Sequence, residues 1–318
     1  MITERVDSAF FYNTAMNSLL EKLSAEFSVS VEYDGSDLLL SGENNLQLQR
    51  ACSVLNSIKK LSDEEEIDES GIDYLIELAS SGELDSFINN HDEVIFNTVA
   101  GRPIKAKTLG QRFYIDALKK SELTICSGPA GSGKTFLAVV MAVKALKNRE
   151  VSKIIITRPA IEAGEKLGFL PGDMKEKVDP YMRPVFDALN ICLGPEMFEK
   201  YYEKEVIEVS PLAFMRGRNL DDAFVILDEA QNTTSEQMKM FLTRIGINCR
   251  VCVCGDFTQI DLPRNIKSGL IDSIEVLSDI DEIEIIKLQN RDIVRNSLVQ
   301  KIVKAYNDRE GVNYENNF

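Results

Sequence analysis

The chain has 318 residues, 44% of them hydrophobic and 27% charged, with a formal net charge of -15. This composition excludes a disordered polymer and supplies apolar residues for a sizeable core; no run approaches the ~20 apolar residues that a membrane-spanning helix needs. The start, MITERVDSAFFYN, has no basic region followed by an apolar run and a cleavage site, so a cytoplasmic protein with no membrane association is expected. The charge is unevenly placed. Residues 1–100 hold 5 Lys and Arg against 20 Asp and Glu, which leaves 31 against 31 over residues 101–318. An acidic excess confined to one end leaves nucleic acid open as a partner of the other.

In chain order, residues 15–26 have helical spacing (Leu19, Leu20, Leu23, then Phe27), SVSVEY at 28–33 alternates, residues 34–37 turn, LLLSG continues as a strand, and 46–61 is helical again. This order predicts a small acidic KH-like α/β domain over 1–65. The GxxG loop that clamps a nucleic-acid backbone in KH domains is absent, so docking or assembly is the simpler role for it. An acidic linker with a short helix around 73–79 occupies 66–93, and residues 94–108 read as a hairpin turning at Ala100–Pro103, with Arg102, Lys105 and Lys107 on or near its second strand.

From there strands and helices alternate. Helices are expected at 110–119, 134–148, 176–190, 234–245 and 292–307, and strands at 122–127, 153–158, 205–209, 223–228, 250–255 and 283–288. Val/Ile-rich strands in such alternation predict a parallel sheet covered by helices on both faces, with ligands beyond the carboxyl ends of its strands. The domain should span 94–310 and be followed by a tail at 311–318. Of six cysteines, Cys249 and Cys252 form a CxxC without the second pair that zinc requires. Alternation instead puts Cys252 and Cys254 on one buried face as core thiols.

The segment Gly128-Pro129-Ala130-Gly131-Ser132-Gly133-Lys134-Thr135 matches G-x-x-x-x-G-K-[ST] between the apolar strand LTICS and an apolar helix, the context that gives this pattern its meaning. Backbone N–H groups of such a loop face phosphates, the helix start adds its positive dipole end, Lys134 places a charge near the β and γ phosphates, and Thr135 can ligate Mg2+. ATP and Mg2+ are the expected cofactors.

The strand AFVIL then ends in two carboxylates. Asp228 is placed to hold Mg2+ opposite Thr135, and Glu229 to orient and deprotonate a water attacking the γ-phosphate. A water-activating base favours hydrolysis over phosphoryl transfer to a small molecule. Glu229 can also be read as a helix N-terminal carboxylate, because Thr233, Thr234 or Ser235 caps the next helix. After the following strand, Gln259 of CGDFTQ can bond both the γ-phosphate and the attacking water.

Taken together, GPAGSGKT, ITRPA at 156–160, LDEAQNTT and CGDFTQIDLP resemble the PhoH family, single-domain relatives of superfamily 1 helicases, over roughly residues 94–307. The resemblance implies a RecA-like P-loop ATPase linked to RNA metabolism. By the same resemblance Gln111 of KTLGQ reads adenine, Thr157 and Arg158 correspond to a motif that touches a nucleic-acid backbone, and Arg295 belongs to a late motif whose arginine meets the γ-phosphate. Many relatives place a histidine after that arginine; here it is Asn296, which leaves that neighbouring position without an assigned role.

A two-domain helicase completes its ATP site with an arginine from the second domain, and this chain has length for one. The missing charge must come from Arg295 or another arginine in cis, or from a neighbouring subunit, with Arg158, Arg183, Arg216, Arg218 and Arg264 as candidates. A ring-like homo-oligomer, a hexamer as the resemblance implies, is therefore expected, with RNA and a YbeY-type endoribonuclease as partners. Two other functions remain open: a nucleotide-controlled adaptor without strand-separating activity, and a small-molecule kinase. The first 100 residues are too short for the PIN nuclease fused to some relatives.

Overall fold

A computed structural model describes residues 2–7, 16–33, 37–62, 67, 69–90, 93–159, 174–294, 299 and 302. The chain divides into two compact units, Met1–Asp92 with Arg295–Phe318, and Glu93–Val294.

In the first unit β1 (Ile2–Asp7), β2 (Ser30–Tyr33) and β3 (Asp37–Gly42) form an antiparallel sheet of order β1-β3-β2. Helices α1 (Met16–Phe27), α2 (Asn45–Ser62), α3 (Glu69–Ser81) and α4 (Leu84–Asn90) accompany it. Helix α2 buries Leu48, Ala51, Val54, Leu55 and Ile58, the 3.6-residue stripe expected of a one-faced helix. The helix–strand–strand–helix order of the sequence is present, with β1 added in front and α4 behind. Strand β1 escapes a periodicity reading because ITERVD carries only two apolar residues, and it pairs with β3 at the sheet's edge.

The second unit opens with the expected hairpin, β4 (Val94–Asn97) and β5 (Pro103–Lys105), whose turn uses Gly101 at φ 75°. Helices α5 (Leu109–Lys120), α6 (Lys134–Lys147), α7 (Met174–Leu193), α8 (Pro195–Glu203), α9 (Ser235–Leu242) and α10 (Gly269–Leu277) surround six strands. These are β6 (Leu123–Ser127), β7 (Lys153–Arg158), β8 (Ile207–Pro211), β9 (Ala223–Leu227), β10 (Arg250–Gly255) and β11 (Ile283–Lys287), all parallel in the order β11-β6-β10-β9-β7-β8.

Alternate residues of one strand enter opposite cores. Phe224, Ile226, Cys252 and Cys254 join α6 and α7 on one side, while Val225, Leu227, Val251 and Val253 join α9 and α10 on the other. This is the RecA-like P-loop arrangement of a doubly covered parallel sheet. Its order also fixes the site: β10 lies between β6, which leads into the phosphate loop, and β9, which ends in the two carboxylates, so the loop after β10 falls between them.

Helices α8 and α10 are additions to the sequence-based reading. The expected helix from 292 does not begin there, because Asn290–Asp292 is a 3-10 turn held by a reciprocal Gln289–Asp292 cap; most of 292–307, with Arg295 and Asn296, lies outside the described residues. Among the described residues no helix is long and apolar enough to cross a membrane. The six cysteines are free and all but Cys52 are buried, with Cys252 and Cys254 in one core as the strand alternation predicts.

Candidate phosphate-binding and hydrolytic site

Strand β6 is fully buried, and its chain leaves the sheet at Gly128. A Cβ on Gly128 would sit 2.7 Å from Leu288 Cβ, so only glycine lets the loop pass the end of β11. The loop closes at Gly133, the N-cap of α6, whose φ of 84° and ψ of 10° lie in the left-handed region that glycine alone enters without cost. Ser132 is buried and donates its hydroxyl to the Pro129 carbonyl at 2.8 Å. Lys134 Nζ lies over its own loop, donating to the carbonyls of Gly128 at 2.6 Å and Pro129 at 2.9 Å.

The loop is braced from behind. Gln111 on α5, 4% exposed, donates from Nε2 to the Ser132 carbonyl at 3.0 Å and accepts the Lys107 N–H at 2.8 Å. Tyr114, fully buried one turn on, donates its hydroxyl to the Lys134 carbonyl at 3.1 Å. The Val294 N–H donates to the Gly131 carbonyl at 3.0 Å.

Beyond the end of β9 the two carboxylates are separated in environment. Asp228 is 6% exposed, and Thr135 donates its hydroxyl to Asp228 Oδ1 at 2.7 Å. Burial pushes the Asp228 carboxyl above the usual carboxylate range, opposed by Arg158 and by the Thr135 bond. A buried carboxylate in that condition suits a divalent cation, and magnesium uses one or two carboxylates together with water and phosphate oxygens. Among the described residues no cluster of three His, Cys, Asp or Glu offers a fuller protein cage. The residues thus fit a magnesium nucleotide, with the loop for phosphates and the Thr135–Asp228 pair for the ion.

Glu229 follows at φ 52°, a left-handed conformation rare outside glycine, and starts the buried 3-10 turn Ala230–Asn232. Its Oε1 pairs with Arg158 Nη2 and its Oε2 accepts from Gln231 Nε2. Arg158 also stands 3.7 Å from Asp228 Oδ2. The N-terminus of α9 is capped by Thr234, with Gln237 completing the capping box, so Glu229 is not needed there.

The sequence reading places Gln259 at the site, and its backbone is there: the Gln259 carbonyl accepts from Gln231 Nε2 at 3.2 Å. Its side chain is exposed and bonded to Asp256 Oδ2 at 2.9 Å. The sequence reading gives no role to Gln231 and Asn232, and places Asp256 at the carboxyl edge without one; all three are buried. Gln231 accepts the Asp256 N–H at 3.1 Å, and Asn232 accepts the Asp261 N–H at 2.8 Å, so these side chains join the turn after β9 to the loop after β10. The available signal was the pair of amides directly after two carboxylates in a segment of small residues.

Thr157 is fully buried, and Arg158 is turned onto the two carboxylates. Arg218 is likewise spent in the chain, with both terminal nitrogens on Glu208. Arg183, Arg216 and Arg264 remain exposed.

A family model described as PhoH-like protein matches residues 103–307. The chain is 49% identical over 291 residues to a PhoH-like protein of Bacillus subtilis, covering 91% of each. It is 53% identical to one of Synechocystis over 68% of this chain and 66% of that protein, and 45% identical to Protein PhoH of Escherichia coli K12 over 64% and 58%. Among solved structures it is similar to the UvsW helicase from bacteriophage T4, with a TM-score of 0.36 and 14% identity over 74% of this chain and 78% of that one. With a family model matched over residues 103–307 and a relative 49% identical over 91% of the chain, this chain belongs to the PhoH-like protein family.

Proposed function

We propose that the chain hydrolyses ATP to ADP and phosphate with magnesium, and that turnover is linked to RNA. The observation that carries the reading is the unbroken set of contacts from Thr135 through Asp228 and Arg158 to Glu229. Residues 128–135 would hold the phosphates through backbone N–H groups, after Lys134 Nζ turns from the Gly128 and Pro129 carbonyls. Thr135 and Asp228 would hold magnesium, which when bound draws charge from the terminal phosphate oxygens.

Glu229 accepts the proton of a water that adds to the terminal phosphorus as the bond to the bridging oxygen breaks. Gln259 would orient that water, which requires its amide to leave Asp256. Gln111 reads adenine with the second bonding direction that each of its polar atoms retains. Arg295 supplies charge at the terminal phosphate.

RNA as the linked polymer is supported by the resemblance and by Arg102 and Lys107, exposed beside the β4–β5 hairpin in a stretch, residues 101–318, whose acidic and basic side chains are equal in number. A ring-shaped homo-oligomer, a hexamer, and a YbeY-type endoribonuclease as partner belong to the same proposal, with Arg183, Arg216 and Arg264 as the arginines able to reach a neighbour. Phosphate release with and without single-stranded RNA, alongside assembly mass with and without ATP, tests it. Release accelerated by RNA from a hexamer is expected. Absence of release under every condition would overturn the hydrolase reading, and RNA-independent release would leave the adaptor function.

A further inference from the structure

We propose that Arg158 is a positioning residue for hydrolysis: it fixes the Glu229 carboxylate in one pose beside Asp228 at the end of β9. The inference rests on the hydrolase reading and goes beyond it by giving Arg158 a task at the base.

The frame that sets Arg158 is rigid. Strand β7 pairs with β9 in parallel, with Thr157 opposite Leu227, and the Asp228 N–H donates to the Thr157 carbonyl at 2.9 Å. The residue after Thr157 therefore stands beside the residues after Leu227. From there one guanidinium reaches Glu229 Oε1 and comes within 3.7 Å of Asp228 Oδ2.

Arg158 Nη2 stands against both carboxylates at the end of β9. The planar guanidinium holds that nitrogen in a fixed plane, whereas an ammonium on a flexible stem carries its charge without a fixed direction. The other Glu229 oxygen is fixed independently by Gln231, itself fully buried and anchored to the Asp256 N–H. Two donors from two elements, one on each oxygen, hold a side chain whose backbone already has an uncommon φ of 52°. The result is a connected chain from Thr135 to Asp228, Arg158, Glu229, Gln231 and Asp256, joining the helix after the phosphate loop to the loop after β10. Networks of this kind act as a unit, so the loss of one member is felt at the others.

The test compares wild type, Arg158→Ala, Arg158→Gln and Arg158→Lys for kcat and KM of magnesium ATP, with binding of a fluorescent ATP analogue measured separately. A misplaced base lowers kcat and leaves nucleotide affinity in place. Expected is a fall in kcat of roughly 10- to 100-fold for the alanine and glutamine variants, with KM and analogue affinity within about threefold of wild type, and partial recovery in the lysine variant. Unchanged kcat in all three variants, or a change confined to KM, would overturn the inference while wild-type turnover keeps the hydrolase reading intact. A wild-type protein that binds the analogue and never turns over ATP would overturn both.

Discussion

The two units bury different things. Among the described residues, Ser57 is the one buried polar side chain of the N-terminal unit, whose interior is otherwise leucine, isoleucine, valine, alanine and aromatic residues. The unit of Glu93–Val294 buries many more, and of these Ser132, Thr157, Asp228, Gln231, Asn232, Asp256 and Asp292 lie at or beyond the carboxyl ends of its strands or in the loops beside them. Burying such groups costs stability unless each finds a partner, and stabilising contacts are commonly sacrificed where a fold works chemically. The contrast assigns chemistry to the second unit and leaves the first, with its acidic surface, as a packed module.

Lys134→Ala breaks the second unit at its phosphate loop. Removing the one charged side chain of the phosphate loop should lower turnover by at least ~100-fold, read as phosphate release, with little change in melting temperature because its bonds go to its own loop.

Gly255→Ala comes next. Its Cβ would sit 2.4 Å from Leu270 Cδ2 and 2.9 Å from Gln231 Oε1, so it presses on the amide that joins the two loops. A loss of roughly 1–3 kcal/mol in denaturant unfolding, together with reduced kcat, is expected. Intact activity would show that the Gln231 link is dispensable.

Asp228→Asn should abolish magnesium-dependent turnover and yet stabilise the ligand-free protein, by roughly 1 kcal/mol. Burial raises the folded carboxyl above its unfolded value, so folding favours the protonated form. Stability from this group is therefore full at low pH and declines as pH rises from the unfolded value through the folded one. The difference in unfolding free energy between wild type and the asparagine variant should shrink on acidification below about pH 4; a difference that grows there would contradict the buried-charge account.

The smallest effect is expected in the other unit. Lys22 pairs with Asp73 at 2.6 Å and Glu69 at 3.6 Å on a partly exposed surface. Lys22→Ala should cost no more than about 0.5–1 kcal/mol and leave kcat unchanged. A marked loss of turnover would mean that the units are coupled.

The same contrast explains what could be read from the sequence. The strands of the second unit are short apolar runs bounded by turn residues, and the phosphate loop is an eight-residue pattern, so both are local signals. The sequence reading omits helix α8 although Gly194 and Pro195 mark its start and Phe198 and Tyr201 pack on the core, because a nine-residue segment repeats that pattern over little more than two turns. Helix α10 opens on a glycine, Gly269, whose missing side chain clears the Thr234 carbonyl, a constraint set by tertiary contact and invisible to propensity. At the site, Thr135 and Asp228 follow from strand order alone. Arg158 meeting Glu229, and Gln231 meeting Asp256, are contacts between segments 71 and 25 residues apart, and only the parallel register of β7, β9 and β10 brings them together.

The central claim is that Glu229 is the base and that its neighbours serve it. Glu229→Gln keeps shape and two hydrogen-bonding atoms while removing the charge that takes the proton, so it separates binding from chemistry. Equilibrium binding of magnesium ATP and single-turnover phosphate release should be measured on the same preparation. Binding within a few-fold of wild type with release slowed by roughly 100-fold or more is the predicted result. Release at the wild-type rate would contradict it and remove Glu229 from the mechanism.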